Sequence, residues 1–410
     1  MKALTVALSA TAIVLAAGCS AGPAQQVAPG SHRPSSPATI RVTRAHAVPG
    51  CTTTTAHARS LGKAGTSLES VPGNPFGVVV TPDGRWSFVS LVTSVAVLRS
   101  GGKATPSLIR TIPLPGRDGL GEALTGDGRY LLVADDSGAD VIDVARAESG
   151  SPHAVLGSLE GSGSGAIEVA LSAGDQYAFV SIEYGREIAV FSLQRALADG
   201  FGPSDFVGGI PAGLGPVGLA VSPDGQWLYA TSEFKATARP SASGLTGPGT
   251  LQVISIRRAE TDPGRSVVAT VTAGCQPVRV ITSADGNVLW VTARASDALL
   301  AFSAARLRTS PARSLIGRMR VGEAPVGLAL VRNGTRMVVA DSNRHDAPGA
   351  SSSLAVVNVA AALAGRPALL GYLRAGGFPR QMALEPGGRT LLVTNFDSRQ
   401  LESVNLADLP

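Results

Sequence analysis

The stretch LAVSPDGQWLYATS, from Leu219 to Ser232, is the unit from which most of this chain is built. Apolar residues lead into Pro-Asp-Gly, and a second apolar run with aromatic residues follows. Because proline fixes φ and glycine tolerates positive φ, the pattern predicts two antiparallel strands joined by a tight turn. Related hairpins recur six times: VVVTPDGRWSFVSL (Val78–Leu91), ALTGDGRYLLVAD (Ala123–Asp135), ALSAGDQYAFVS (Ala170–Ser181), VITSADGNVLWVT (Val280–Thr292), ALVRNGTRMVVAD (Ala329–Asp341) and ALEPGGRTLLVTN (Ala383–Asn395).

The spacing of these hairpins predicts the architecture. Their turns lie 44, 47, 50, 61, 48 and 54 residues apart, at Gly84, Gly128, Asp175, Gly225, Gly286, Gly334 and Gly388. Repeats of about 40 to 50 residues with four short strands each are typical of propeller blades. Seven such units predict an all-β, seven-bladed β-propeller with four-stranded antiparallel blades.

The two ends of the chain are predicted to meet in the last blade. Blade 7 has three strands, ending with Leu401–Leu406, and lacks an outer one. Thr66–Val71 (TSLESV) has the pattern of an outer strand, so we expect it to complete blade 7 and remove an exposed sheet edge. The propeller is therefore assigned to residues 66–410. An N-terminal extension occupies 38–65, where Thr39–Thr43 is a candidate for one further strand.

The N-terminal sequence MKALTVALSATAIVLAAGCS predicts export. One lysine precedes an apolar run that is too short to span a membrane as a stable helix, which is typical of a secretory signal peptide. The junction LAAGCS resembles a bacterial lipobox, in which the cysteine, here Cys19, receives the lipid. We predict a lipoprotein signal in residues 1–18, a flexible tether in 19–37, and a lipid anchor on the extracytoplasmic face of the cell membrane. The alternative is an ordinary cleaved signal with an incidental cysteine.

Charge and cysteine content limit the partners and the compartment. The 410 residues include 35 basic and 30 acidic side chains, a net charge of +5 without any Lys/Arg block, so a nucleic acid partner is not indicated. Cys51 and Cys275 remain after Cys19, and in an oxidising compartment they predict a disulfide; two separate thiols are the alternative. No CxxC, CxxCH or His-rich spacing is present, so no metal and no cofactor is predicted.

The repeats resemble those of a known propeller family. GPVGLAVSPDGQWLYATS, NPFGVVVTPDGRWSFVS, APVGLALVRNGTRMVVADSN and FPRQMALEPGGRTLLVTN follow the pattern P-x-G-[LV]-A-[VL]-[ST]-P-D-G-[RQ]-x-[LF]-Y-V-[TS]-N. This pattern is similar to the YVTN-repeat family of seven-bladed propellers, from about Thr66 to Leu406. The family includes surface and periplasmic proteins, and its lactonase relatives hydrolyse sugar lactones. The resemblance implies the fold, but it transfers no catalytic residue to this chain.

The candidate site is the mouth of the central channel, on the face opposite the Pro-Asp-Gly turns. Seven equivalent positions of the first strands are predicted to surround it: Gly77, Gly121, Glu168, Gly218, Arg279, Gly327 and Gln381. The glycines suit a close approach of the backbone. Glu168, Arg279 and Gln381, with the neighbouring Arg380, are predicted to bind a small polar ligand. The alternative is a solvated ion pair between Glu168 and Arg279 across the channel.

These features predict a binding or scaffolding module for a protein, a glycan or a small ligand. The alternative is a lactonase-like hydrolase with its site at the channel mouth. No catalytic set can be placed, because the histidines other than His345 lie outside the predicted channel. The polar run Asp341–Asp346 on the same face is interpreted as a solvated loop, although its oxygen-bearing side chains are of the kind that calcium accepts.

Overall fold

Seven four-stranded antiparallel sheets make up the structure, which is a computed structural model. It describes residues 46–51, 55–62, 65–100, 105–116, 118–238, 240–241, 244–346 and 351–410. The predicted signal peptide, Cys19, the tether and the strand candidate Thr39–Thr43 lie outside these residues. The predicted all-β fold with seven four-stranded blades is confirmed.

In blades 1 to 6 the strands run from the channel outwards in chain order, whereas the outer strand of blade 7 comes from the N-terminal side of the chain. The innermost strands of neighbouring blades contact one another around the channel. The four strands are Val79–Val80, Trp86–Ser90, Ser94–Arg99 and Ser107–Pro113 in blade 1; Glu122–Leu124, Tyr130–Asp135, Gly138–Asp143 and Val155–Leu159 in blade 2; Ala166–Leu171, Tyr177–Ile182, Glu187–Ser192 and Phe206–Pro211 in blade 3; Leu214–Val221, Trp227–Phe234, Pro248–Ser255 and Val267–Cys275 in blade 4; Pro277–Thr282, Val288–Ala293, Ala298–Ser303 and Leu315–Arg320 in blade 5; Pro325–Val331, Arg336–Asp341, Ser353–Asn358 and Leu369–Arg374 in blade 6; and Pro379–Leu384, Thr390–Asn395, Gln400–Asn405 and Thr66–Ser70 in blade 7. Pro240–Ser241 and Gly244–Leu245 form a separate two-stranded sheet within blade 4's long loop.

The ring closes in blade 7 as the sequence predicted. Thr66–Ser70 pairs antiparallel with Gln400–Asn405, with Leu68 opposite Glu402. The first strand after the N-terminal extension is therefore hydrogen-bonded to the last strand of the chain. This pairing covers the edge that blade 7 would otherwise expose.

The turn between the first two strands of blade 4 shows why the repeated motif folds as a hairpin. Gly225 has a φ of 68°, which glycine adopts without steric cost. The backbone N–H of Gln226 donates to Asp224 Oδ1 over 3.1 Å, and the N–H of Trp227 donates to Ser222 Oγ over 3.0 Å. The Ser-Pro-Asp-Gly sequence thus satisfies its own backbone donors while it reverses the chain.

The hydrophobic core is a ring of seven layers, each between two neighbouring blades. In the layer that closes the ring, Leu392 and Leu401 of blade 7 pack with Val89 and Leu98 of blade 1. Each fully buried side chain of this size contributes about 1.5–3 kcal/mol to folding. The blades are therefore held together mainly by apolar burial between their faces.

Short helices connect the third and fourth strands of blades 2 to 6, on the face of the Pro-Asp-Gly turns. The α-helices among the described residues are Val144–Ser149, Leu193–Asp199, Ile256–Ala259, Ala304–Thr309 and Val359–Leu363, and the 3-10 helices are Pro203–Asp205, Pro263–Arg265, Arg294–Ser296, Pro311–Arg313 and Leu406–Asp408. Within the described part of the chain, no helix has the length and apolar character needed to cross a membrane.

An N-terminal arm, defined as residues 46–51 and 55–62, runs along the outer edges of blades 5 and 6. The N–H of Ala56 donates to the carbonyl oxygen of Val321 over 3.0 Å, at the end of blade 5. The N–H of Leu61 donates to the carbonyl oxygen of Tyr372 over 2.8 Å, in the outer strand of blade 6. The chain then enters blade 7, so one continuous segment spans three neighbouring blades.

A disulfide bond between Cys51 and Cys275 fixes the arm to the junction of blades 4 and 5. The two Cα atoms lie 5.2 Å apart, and 224 positions of sequence separate the residues. Ser296 Oγ also donates to the carbonyl oxygen of Gly50 over 2.9 Å. The arm is thus joined covalently to a blade that follows it much later in the chain.

Candidate ligand site at the channel mouth

Three long polar side chains enter the mouth from alternate blades. Glu168, Arg279 and Gln381 lie on the first strands of blades 3, 5 and 7. In all three blades, the pairing between the first and second strands shifts register at this position. A β-bulge of this kind turns a side chain away from its regular direction. The bulges therefore direct the three side chains towards the same opening.

Glycine occupies the equivalent positions between these blades because the neighbouring backbone comes very close. A Cβ atom at Gly218 would lie 2.1 Å from the carbonyl oxygen of Val278, and one at Gly327 would lie 1.9 Å from that of Arg380. Such distances are far below van der Waals contact. The alternation of glycine with a long side chain in blades 3 to 7 thus lets seven strands meet and still places functional groups at their centre.

A ring of hydroxyl groups replaces the strand-to-strand hydrogen bonds that the bulges remove. In five blades, a hydroxyl of the second strand accepts from the backbone N–H at the mouth position and donates to a carbonyl of the next blade. These hydroxyls belong to Ser90, Ser181, Thr231, Thr292 and Thr394. Each one joins two blades and fixes the backbone directly beneath the site.

The carboxylate of Glu168 is the centre of the site. Arg279 Nη1 lies 2.6 Å from Glu168 Oε2, and Gln381 Nε2 donates to the same oxygen over 2.8 Å. The side chains of Arg279 and Glu168 are only 9% and 14% exposed, so the pair is largely buried. This differs from the solvated ion pair considered above, because the surrounding strands and phenylalanine rings exclude most of the water.

Burial also changes the acidity of this carboxyl. It raises the pKa of Glu168 to about 7, against the opposing effects of Arg279, Gln381 and Arg380. Loss of hydration penalises the charged form of a carboxyl, and the nearby cations recover only part of that cost. Glu168 is therefore a group that exchanges its proton near neutral pH.

Arg380 lies beside this pair in a box of three phenylalanine rings. Its Cζ atom is 3.9 Å from the ring centre of Phe76, 5.2 Å from that of Phe378 and 5.4 Å from that of Phe396. The rings stabilise the planar guanidinium through cation–π attraction. The rings do not accept the hydrogen bonds of its N–H groups, which need oxygen or nitrogen acceptors.

No such acceptor is present among the residues that the structure describes. No carboxylate lies within 4.0 Å of the Arg380 guanidinium, no hydrogen bond leaves it, and its Nε atom is buried without a partner. Burial and the positive charges of Arg279, Arg344 and Arg294 lower the pKa of Arg380 to about 9. Arg380 is thus a partly buried cation in surroundings that already carry positive charge.

The wall of the box contributed by Phe378 is strained. Phe378 has a φ of 55°, in the left-handed region that a bulky residue avoids at a cost of about 1–2 kcal/mol. Blades 3 and 4 place glycine at the equivalent position, Gly165 and Gly215, with φ values of 79° and 62°. Blades 5 and 6 also have residues other than glycine there, Gln276 and Ala324, with φ values of 47° and 49°. The positive φ is thus a feature of the repeat, and in blade 7 the residue in this conformation places its ring next to Arg380.

A second ion pair lies on the same face. Arg294 Nη2 donates to Glu233 Oε1 over 2.7 Å, and Arg294 also donates to Gln276 Oε1. The pKa of Glu183 is raised by burial and by Glu233, while arginines on three blades oppose the shift. Four arginines, Arg279, Arg294, Arg344 and Arg380, and three glutamates, Glu168, Glu183 and Glu233, thus influence one another's charge on this face.

The sequence predicted Glu168, Arg279, Arg380 and Gln381 as mouth residues, but two further features were missed. One is Glu122, next to the mouth glycine of blade 2, whose pKa is raised to about 8 by burial, with a smaller contribution from Glu168. The other is the box of Phe76, Phe378 and Phe396. Three of the ten phenylalanines of the chain thus lie around Arg380.

The run from Asp341 to Asp346 does not gather its oxygens around one point. Asp341 is fully buried in blade 6, where Ser353 Oγ donates to its Oδ2 atom over 3.2 Å. Asn343 Nδ2 instead contacts Asp346 Oδ1 at 3.4 Å, nearer the surface. In the described ranges, no group of three or more His, Cys, Asp or Glu side chains is arranged to hold a metal ion.

The architecture is that of a seven-bladed β-propeller, a class that commonly serves as a binding or scaffolding module. No family model and no curated protein matches the sequence. A chain of hydrazine synthase from Kuenenia stuttgartiensis superposes with a TM-score of 0.63 and 17% identity, over 84% of this chain and 98% of that one. A chain from a crystal structure of the mitotic checkpoint complex superposes with a TM-score of 0.65 and 13% identity, over 86% and 96%. At these identities the similarity shows the fold alone.

Proposed function

We propose that this chain is a lipid-anchored, extracytoplasmic β-propeller that binds a ligand at the mouth of its channel. The observation that carries the proposal is the guanidinium of Arg380, which is partly buried at the mouth and has no acceptor among the described residues. A desolvated cation costs free energy unless a partner compensates it. A bound ligand would supply that partner, be it a small molecule, an acidic group of a glycan or a side chain of a protein.

Export and anchoring are supported by separate features. LAAGCS places Cys19 directly after the apolar run of the signal, and the Cys51–Cys275 disulfide suits an oxidising compartment. In the cells that make this protein, we expect it in the membrane fraction, released by detergent but not by salt. A Cys19→Ala variant should lose the incorporation of labelled palmitate that the wild type shows. If the wild type incorporates no palmitate, or if Cys19→Ala incorporates as much as the wild type, the lipid anchor at Cys19 is wrong.

Ligand binding is tested by comparing what two variants retain. The purified protein is equilibrated with a small-molecule extract of the same cells, and retained compounds are identified by mass spectrometry. Arg380→Gln removes the cation at the mouth. Arg99→Gln is the matched control, because Arg99 also stacks on an aromatic ring, that of Trp86, and is exposed. Compounds held by the wild type and the control but lost from Arg380→Gln support the proposal. An identical set on all three contradicts a site at the mouth.

A second candidate function is that of a lactonase-like hydrolase. The observation in its favour is the pKa of Glu168, raised to about 7, beside the donors Arg279 and Gln381. A carboxylate of that acidity can act as a general base at neutral pH, with the donors stabilising developing negative charge. Saturable hydrolysis of gluconolactone that Glu168→Gln abolishes would favour the enzyme over the binding module. Hydrolysis at the uncatalysed rate would rule out the lactonase-like hydrolase.

A further inference from the structure

Arg380 lies beside an ion pair but has no acidic partner of its own among the described residues. Arg279 and Arg380 both face the ring of Phe76, with Cζ-to-centroid distances of 5.9 and 3.9 Å. Among the described residues, only the carboxylate of Glu168 contacts this pair of guanidinium groups, and it contacts Arg279 alone. Arg380 is therefore a cation close to a second cation and has no contacting anion of its own.

Arg380 differs from the other arginines of this face. Arg279 and Arg294 have Glu168 and Glu233 as partners, and Arg344 is exposed to water. Arg380 is partly buried and has no carboxylate partner among the described residues, so one added anion would compensate it. A dianion such as inorganic phosphate would also be repelled by the nearby glutamates.

The box determines which part of Arg380 a ligand can reach. The three rings cover the faces of the guanidinium, and Phe378 and Phe396 meet edge to face with centroids 5.9 Å apart. The free N–H edge matches the spacing of two oxygens on one carbon, the geometry of a carboxylate. Both Phe378 and Phe396 are partly exposed, so an apolar group bound next to that carboxylate would bury them further.

We propose that the ligand of the mouth is a small monocarboxylate with an apolar body, its carboxylate bound by Arg380 and by the remaining nitrogen atoms of Arg279. This inference rests on the proposed function, since it names the chemical class of the ligand for the same site. Glu168 stays the internal partner of Arg279, and the ligand becomes the second anion.

The test uses simple probes on the full-length protein in detergent. Binding is measured by calorimetry for benzoate, benzamide, acetate and inorganic phosphate. Benzoate has both the charge and the apolar body, benzamide has the shape without the charge, and acetate has the charge without the body. We expect benzoate to bind most tightly, acetate at least 10-fold more weakly, and benzamide not measurably. Arg380→Gln should lower benzoate affinity about 10- to 100-fold, the range of charge-assisted hydrogen bonds.

Two variants keep the result interpretable. Arg99→Gln makes the same charge change far from the mouth and should bind benzoate like the wild type. Arg380→Lys keeps the charge but not the planar fork, so it should fold normally and still bind more weakly than the wild type.

Three results would overturn the inference: no heat of benzoate binding at about 10 mM, equal binding of benzamide and benzoate, or tighter binding of phosphate than of benzoate. If one of these occurs while cell-derived compounds still depend on Arg380, the site remains and only its ligand class is wrong. If that dependence is also absent, the proposed function fails as well.

Discussion

The Nη1 atom of Arg279 in blade 5 lies 2.6 Å from the Oε2 atom of Glu168 in blade 3, across the mouth of a seven-bladed ring. The contact joins two blades that are not neighbours and buries both charges almost completely. A surface ion pair contributes about 0–1 kcal/mol, but removing one partner of a buried pair costs about 3–5 kcal/mol. The contact therefore has consequences for stability that the exposed ion pairs of this protein do not have.

Replacing Arg279 by methionine should lower the free energy of unfolding at pH 8 by about 3 kcal/mol, because the ionised Glu168 is then buried without its contacting counter-ion. The double variant Glu168→Gln/Arg279→Met should recover part of this loss, and the two single changes should couple by about 1–3 kcal/mol. Denaturant titrations of the four proteins measure the cycle. Arg85→Gln, which breaks an exposed pair with Asp83, is the control and should leave the stability close to that of the wild type. Additive effects of the two mouth substitutions would contradict the role assigned to the contact.

Stability should decrease as the pH rises from about 5 to about 8. Burial raises the pKa of Glu122 to about 8 and that of Glu168 to about 7, whereas an unfolded chain ionises glutamate near 4.3. The folded protein therefore holds more protons than the unfolded chain in this window, and the stabilisation present below it is lost as these groups ionise. Thermal unfolding measured at half-unit steps of pH gives the profile.

A matched pair of variants assigns that profile to a residue. Glu122→Gln should flatten the upper part of the curve, since an amide cannot ionise. Glu160→Gln, at an exposed position outside the mouth, should leave the curve unchanged. If both variants follow the wild type across the window, burial of Glu122 does not control the pH dependence.

Most of the fold could be predicted from the sequence because it is encoded locally and repeated. The turn residues predicted the hairpins, and the spacing of the turns predicted the number of blades. The outer strand expected at Thr66–Val71 is found at Thr66–Ser70, although its half-buried positions are Ser67 and Glu69 and its one apolar residue, Leu68, is exposed. The short helices were missed in most blades, although polar residues such as Asp143 and Asn358 cap their first turns and were a visible signal.

The site could be predicted only in part. Alignment of the repeats identified Glu168, Arg279 and Gln381, because equivalent positions of a ring must face one centre. The box around Arg380 could not be found in this way. It depends on the positive φ of Phe378 and on Phe76, which lies at the other end of the sequence and becomes a neighbour only when the ring closes.

The disulfide should contribute substantially to stability. The Cys51–Cys275 bond closes a loop of more than two hundred residues, and such a cross-link restricts the unfolded chain. The double variant Cys51→Ser/Cys275→Ser should lose about 3 kcal/mol of unfolding free energy, and the arm should be cleaved faster in limited proteolysis. Reductant should destabilise the wild type to a similar degree and leave the variant unaffected. A wild type that does not respond to reductant under unfolding conditions would contradict this contribution.

Thr394 is the member of the ring of hydroxyl groups that joins blade 7 to blade 1, where the propeller closes. Its Oγ1 atom accepts from the backbone N–H of Gln381 over 3.0 Å and donates to the carbonyl oxygen of Phe76 over 2.8 Å. Thr394→Val keeps the volume but leaves a buried donor and a buried acceptor unpaired, so it should cost about 2 kcal/mol. The exposed strand residue Thr111 gives the control Thr111→Val, expected within about 0.5 kcal/mol of the wild type.

Blade 2 has Ala134 at the corresponding position, where Gly121 N–H donates directly to the carbonyl oxygen of Ile167 over 2.9 Å. If the backbone in blade 7 can make the same adjustment, Thr394→Val will match its control and the hydroxyl is dispensable for closure.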